Sequence, residues 1–172
     1  GLAIKYAGNT TNHLEGVVLL APYLSHSAPT VRPNSGGWVQ VATLRYAGLS
    51  MLNNVGLRML NHLPVLFFNR PETLSKELQV DSYSYRLNES FSPQNYESDL
   101  SNIDKPILLL VGKNDEAFYA EEFEAVFDQL APHSELSTKE EATHLDLVLR
   151  QKTADRVAAW IKRLKNQTPT AQ

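Results

Sequence analysis

Two residues in the second half of the chain have the types and the setting for proton-transfer chemistry. Asp115 follows five apolar residues, 107–111 (ILLLV), and a Gly-Lys-Asn turn. His144 follows a second short strand-like segment, 134–138, through the loop Glu141-Ala142-Thr143, and precedes the apolar Leu145, Leu147 and Val148. If the two segments are neighbouring parallel strands, a carboxylate and an imidazole emerge together at their C-terminal ends. Ligands and catalytic groups of open α/β sheets collect there. Such a pair suits general-base catalysis, in which the carboxylate orients the ring and stabilises the imidazolium. Each residue also has an ordinary reading. An Asp after a strand commonly forms a turn or caps a helix, and an isolated His is often a plain surface or core residue. Asp146 competes for His144, although at two residues' distance it better suits capping the next turn. Glu140 and Glu141 read as solvated.

Other chemistries find little purchase. His13, His26, His62 and His133 have no mutual spacing of a metal site, such as the i, i+4 pair of a zinc helix. No glycine-rich phosphate loop occurs, and Gly36-Gly37, followed by Trp38, reads as a hinge or turn. With no cysteine, disulfides, thiolate catalysis and Cys-based metal sites are excluded. That absence fits a reducing compartment without requiring one. The formal net charge of -3, without a basic block, argues against nucleic acid as a partner. No apolar run approaches the roughly 20 residues that span a bilayer. Sequons at Asn9, Asn88 and Asn166 are too common by chance to imply secretion.

The elements that must position Asp115 and His144 follow from hydropathy patterning. A chain of 172 residues, 42% hydrophobic and 20% charged, suits one domain with a sizeable core. Residues 1–7 read as a helix without a visible N-cap, stopped by Gly8-Asn9, both of which tolerate positive φ. We therefore expect the chain to be the C-terminal part of a longer one, with localisation signals upstream. Residues 16–20 (GVVLL) predict a strand buried on both faces of a parallel sheet. Residues 107–111 predict another, after which Gly112 lets the chain turn sharply. A helix is expected over 119–130, with Phe123, Val126, Phe127 and Leu130 on one face. Another is expected over 153–165, burying Val157, Trp160, Ile161 and Leu164.

Between the two strands, 25–102 is far longer than the ~2–6 residues that usually join such elements. It reads as an inserted, mostly helical cap, with a helix over 41–63, a strongly apolar stretch at 64–69, and another helix entry at Arg70-Pro71-Glu72-Thr73. Its apolar residues Trp38, Met51, Met59, Phe67 and Phe68 fit either the cap's own core or a lid surface that binds an acyl chain.

The order of helix, GVVLLAPYL strand, helical insertion, KPILLLVGKND strand, amphipathic helix, short strand, ATH loop and final helix resembles the C-terminal half of an α/β-hydrolase. The likeness is to the esterase, lysophospholipase and monoacylglycerol-lipase-like branch. It implies a mostly parallel sheet with helices on both faces, built from 1–24 and 103–172, with 25–102 as a helical cap. It implies Asp115 as the acid and His144 as the base of a catalytic triad, in the order Ser, Asp/Glu, His. It also implies no cofactor or metal, an apolar or lipid-like ester as substrate, and Trp38, Phe67 and Phe68 near that substrate. No G-x-S-x-G occurs in the chain. The resemblance therefore puts the nucleophile upstream, in a preceding stretch or a second chain that supplies the N-terminal half, with Gly1 as the elbow's last glycine. An Asp nucleophile, as in dehalogenases and epoxide hydrolases, an acyltransferase, or a non-catalytic binding module on the same scaffold are the rival readings.

Overall fold

The structure is a computed structural model that describes residues 1–9, 13–69, 80–139 and 141–167. The residues Arg70 to Thr73 expected to enter a helix, Glu140 and the end of the tail lie outside that set.

The main sheet has three parallel strands in the order β1 (Val17–Leu20), β5 (Ile107–Gly112), β6 (Ser134–Lys139). The register pairs Val17 with Ile107 and Ile107 with Ser134, and it runs on to Gly112 opposite Lys139. All six residues of β5 are buried. Alternate side chains of a strand point to opposite faces, so both faces of the central strand are covered. Helices α1 (Leu2–Ala7), α5 (Glu122–Leu130) and α7 (Gln151–Gln167) supply Ile4, Phe123, Phe127 and Trp160 to the same apolar core. Helix α7 is also tied to β6 by Arg156 and Arg163, which both reach the Glu135 carboxylate.

Several expectations are corrected in detail. In β1 only Val17 and Leu19 are buried, while Val18 and Leu20 are half-buried. This strand is the edge of the described sheet, paired on one side only. Gly8 ends α1 at a right-handed φ of -70°. Its glycine requirement is steric, since a Cβ there would lie 2.4 Å from the Asp99 carbonyl oxygen. Helix α5 begins at Glu122, not Tyr119, and the Tyr119 N–H donates to the Thr30 carbonyl. In α7, Trp160 is buried but Ile161 is exposed.

The insertion folds in two parts. Residues 24–32 belong to the main body. Leu24 and Ala28 sit in its core, and Arg32 N donates to the Ala117 carbonyl across from the Asp115 loop. Leu100 of α4 (Tyr96–Ser101) returns to the same core. Between them lies a second, antiparallel sheet that the periodicity did not suggest, in the order β2 (Val39–Val41), β3 (Pro64–Phe68), β4 (Ser82–Ser84). Helices α2 (Thr43–Asn54) and α3 (Tyr85–Phe91) pack on it through Leu49, Val65 and Tyr85. The helix expected over 41–63 is thus only α2. Gly56 takes φ +83°, and the chain continues in turns to Leu63.

Candidate active site

The two loops at the C-terminal ends of β5 and β6 meet. Asp115 is buried, with 2% exposure, and its two oxygens divide the work. Oδ1 accepts the backbone N–H groups of Ala117 at 2.8 Å and Phe118 at 2.9 Å. Oδ2 lies 2.9 Å from His144 Nδ1. The turn-forming and ring-orienting readings of this Asp are therefore not alternatives. The first holds the carboxylate still while the second uses it. With Nδ1–H donated to the carboxylate, Nε2 is the free nitrogen of a side chain that is 30% exposed.

The spacing between these loops depends on Gly112. A Cβ at that position would lie 2.2 Å from the Ala142 carbonyl oxygen, in the loop just before His144. The same carbonyl accepts the Asn114 N–H at 3.1 Å. Gly112 is thus required for close approach, not for the sharp turn that the sequence suggested.

Four further residues hold the pair, of which only Asp146 was singled out by sequence, as the cap of the next turn. Glu116 Oε2 accepts the His144 backbone N–H at 3.0 Å, clamping one loop to the other. Arg32 Nε donates to the carbonyls of Asp115 at 3.1 Å and Phe118 at 2.9 Å, and its guanidinium lies 4.3 Å from the centre of the Tyr119 ring. Thr143 and Asp146 bond reciprocally. Thr143 N donates to Asp146 Oδ2 at 2.9 Å, and Asp146 N donates to Thr143 Oγ1 at 3.4 Å, as in a capping box. Asp146 therefore caps the turn into α6 (Asp146–Leu149) and does not compete for the imidazole. The Thr143 N–H, with Arg150 behind it, holds the Asp146 carboxyl below its ordinary range. A sequence signal existed for this box, the T-x-x-D spacing. None existed for Arg32, whose partner lies 83 residues away.

The ring of His144 is flanked by Phe118 at 5.3 Å and Trp38 at 5.8 Å between centroids. Trp38 arrives from the insertion on the 3₁₀ turn Pro33–Gly37, where Ser35, Gly36 and Gly37 all have positive φ. That turn presses on the Asp115 loop so closely that a Cβ at Gly36 would lie 1.7 Å from the Glu116 carbonyl oxygen. Phe67 and Phe68 are placed differently. Both lie on β3 of the second sheet, where Phe68 packs edge-on against Tyr83 and Phe67 is partly exposed. Neither shows a ring contact to His144. A shallow groove of about 370 Å³ at the start of α2, lined by Ala42, Thr43, Leu44 and Arg45, shares no residue with these surroundings.

Among the described residues, no group of three or more His, Asp or Glu side chains could hold a metal ion. His133 Nε2 lies 3.0 Å from the Lys105 carbonyl, and His62 Nδ1 lies 3.1 Å from that of Met59. Both are local contacts with the backbone. Among the same residues, no helix is long and apolar enough to cross a membrane.

No protein-family model matches the chain, and no curated protein does. Solved structures do. A monoacylglycerol lipase from Paleococcus ferrophilus is similar over 96% of this chain and 64% of its own, with a TM-score of 0.62 and 19% identity. The esterase EaEST from Exiguobacterium antarcticum is similar over 93% and 62%, with a TM-score of 0.56 and 21% identity. A deformylase from Pseudomonas putida S16 is similar over 91% and 61%, with a TM-score of 0.52 and 19% identity. The chain thus spans about three fifths of the structures it matches. Over that span it has the α/β-hydrolase fold.

Proposed function

We propose that this chain carries the acid and base of a serine hydrolase of carboxylic esters, the nucleophile lying in a sequence upstream of Gly1. The observation that carries the reading is the 2.9 Å contact of buried Asp115 with His144 Nδ1 at the ends of adjacent parallel strands. The esterases and lipases among the similar structures support the ester class at the level of fold.

In this reading His144 Nε2 accepts the serine Oγ proton as Oγ adds to the ester carbonyl. The resulting tetrahedral intermediate collapses, the bond to the leaving alkoxide breaks, and His144 returns the proton to it. Water then adds to the acyl-enzyme by the same route and releases the acid. Asp115 stays ionised and stabilises the imidazolium in both halves. Gly1 fits the last position of a nucleophile elbow, since a Cβ there would lie 2.4 Å from the Phe91 carbonyl oxygen. Within 25–102, the second sheet with α2 and α3 acts as the cap. Trp38, beside His144, is the wall nearest the reacting carbonyl, and Phe67 and Phe68 extend the apolar surface toward the acyl chain. The chemistry needs neither cofactor nor metal.

The test uses the full-length protein, with its upstream sequence, and a fluorophosphonate probe. Labelling of an upstream serine, blocked by prior hydrolysis-resistant ester analogue, is the expected result. Absence of labelling in a folded full-length protein would reject a serine nucleophile and leave the binding-module or Asp-nucleophile reading.

A further inference from the structure

His144 is gripped twice from the loop after β5. Asp115 Oδ2 lies 2.9 Å from the ring at Nδ1, and the next residue, Glu116, holds the backbone, its Oε2 accepting the His144 N–H at 3.0 Å. Consecutive side chains of one loop thus fix one residue of the other at two points. The two grips constrain different motions. A bond at Nδ1 alone lets the histidine backbone drift while the side-chain torsions rotate to keep that bond. Nε2, the nitrogen that must meet the nucleophile's proton, then swings out of line. Holding the backbone N as well removes that freedom.

The other bonds of the His144 loop act elsewhere. Asn114 N donates to the Ala142 carbonyl, earlier in that loop. Thr143 N donates to Asp146 Oδ2, which belongs to the same loop and moves with it. Glu116 suits the remaining task. It is half-buried, and a carboxylate accepting an N–H makes a charge-assisted bond, about twice as strong as a neutral one. Its own backbone is backed by the turn that carries Trp38, where a Cβ at Gly36 would lie 1.7 Å from the Glu116 carbonyl oxygen. Glu116 therefore joins the Asp115 loop, the His144 loop and the turn into the second sheet.

We infer that Glu116 is a positioning residue of the hydrolysis proposed above, on which the inference rests, and that it sets His144 Nε2 by the reach of its side chain, not by its charge. The experiment uses the full-length protein and two variants. Glu116→Gln keeps the reach and an acceptor oxygen, whereas Glu116→Asp keeps the charge on a chain one methylene shorter. One readout is turnover of a soluble short-chain ester. The other is the tautomer of neutral His144, read from the long-range nitrogen–proton correlations of its ring and assigned by their loss in His144→Ala. The unsubstituted protein should hold the Nδ1–H form. Glu116→Asp should lower kcat between about tenfold and 10²-fold with KM unchanged, and should mix in the Nε2–H form. Glu116→Gln should stay within about threefold of the original kcat and keep one tautomer. Recovery by Asp and not by Gln would make the carboxylate an electrostatic partner of the imidazolium and overturns the inference. So does an equal loss in both variants, or none in either. The tautomer is read without turnover. A protein that hydrolyses no ester would sink the hydrolase reading alone, and the Asp–Gln comparison of the tautomer would still decide whether Glu116 holds the ring.

Discussion

The sheet β1-β5-β6 and the sheet β2-β3-β4 start from similar material and end differently. Their central strands read ILLLVG and PVLFF. The first is buried at every position, whereas the second buries only Val65 fully. The difference lies in what covers them. Parallel strands are joined by crossovers, and here helices from both sides close over β5. The second sheet is a small antiparallel unit with a core of Leu49, Val65 and Tyr85 among the described residues. The lesson concerns where chemistry can be placed. Asp115 and His144 leave the sheet that is buried on both faces, and their loops are locked by Gly112, Glu116 and Arg32. Among the described residues, the second sheet reaches the site through Trp38, at its margin. Rigid positioning thus comes from one unit, and an apolar surface from the other.

The sharpest break in that contrast is chemical. His144→Ala in the full-length protein should lower kcat of the proposed hydrolysis on the order of a million-fold, with the thermal midpoint nearly unchanged. Asp115→Asn should cost about 10⁴-fold. Its Oδ1 can still accept the Ala117 and Phe118 N–H groups, but its amide would face Nδ1 and favour the wrong tautomer. Asp115→Ala should in addition destabilise the fold by about 2–4 kcal/mol, because two buried N–H groups lose their acceptor. Denaturation midpoints alongside single-turnover rates separate the two variants. Equal stability of Asn and Ala would show that Oδ1 holds nothing.

Gly112→Ala tests positioning alone. The added methyl must push the Ala142 loop, and with it His144, away from Asp115. A displacement near 1 Å can cost about 10²-fold in rate, so kcat should drop by that order while the probe still labels the proposed serine slowly. An unchanged kcat would mean that the loops adjust independently and that the close contact is incidental.

These expectations also show what was readable in the sequence. The core strands were legible because an uninterrupted apolar run has few other homes, and the Phe123, Val126, Phe127 face of α5 because its 3.6 period is clean. Asp115 and His144 were legible as a pair only through the order of elements around them. The second sheet was not. Val39–Val41 and Ser82–Ser84 are three residues each, too short to show alternation, and β3 reads as a generic apolar run. The helix expected over 41–63 runs too long because Leu60 and Leu63 continue an apolar helical pattern beyond Gly56, whose positive φ breaks it. Contacts such as Glu116 to His144 N are fixed by tertiary approach, and no local pattern encodes them.

The two units should also differ in how their loss spreads. Phe123→Ala removes a fully buried ring from the main core and should cost about 3–5 kcal/mol, lowering hydrogen-exchange protection throughout β5 and β6. Leu49→Ala should cost about 2–3 kcal/mol, at the low end of such truncations because the smaller cluster can collapse. Its effect on exchange should be confined to α2 and β3. If Leu49→Ala weakens protection of Leu109 and Leu110 as much as that of Val65, the two sheets unfold as one unit and the contrast fails.

The smallest expected effect compares two carboxylates with opposite signs, one at each boundary. Asp146, at the His144 loop, has its pKa depressed chiefly by the Thr143 N–H, with Arg150 assisting. It therefore contributes stability above its unfolded value of about 3.9, and that contribution disappears as pH falls through the lower folded value. Asp99 of α4 lies against α1 where Gly8 meets its backbone. Burial raises its pKa and Lys5 only partly offsets this. Its charged form is penalised in the folded state, so this residue costs stability at neutral pH, and the cost fades as pH falls through the raised folded value and is gone below the unfolded one. Asp146→Asn should make the acid limb of a stability profile shallower, leaving a less stable protein at neutral pH. Asp99→Asn should do the reverse at neutral pH, raising the denaturation midpoint, and should steepen the acid limb. Denaturant titrations from about pH 3 to 7 read both. Matching shifts of the same sign would show that the packing of α1 on α4 does not desolvate Asp99, and the tight junction between insertion and core at Gly8 would lose its electrostatic consequence.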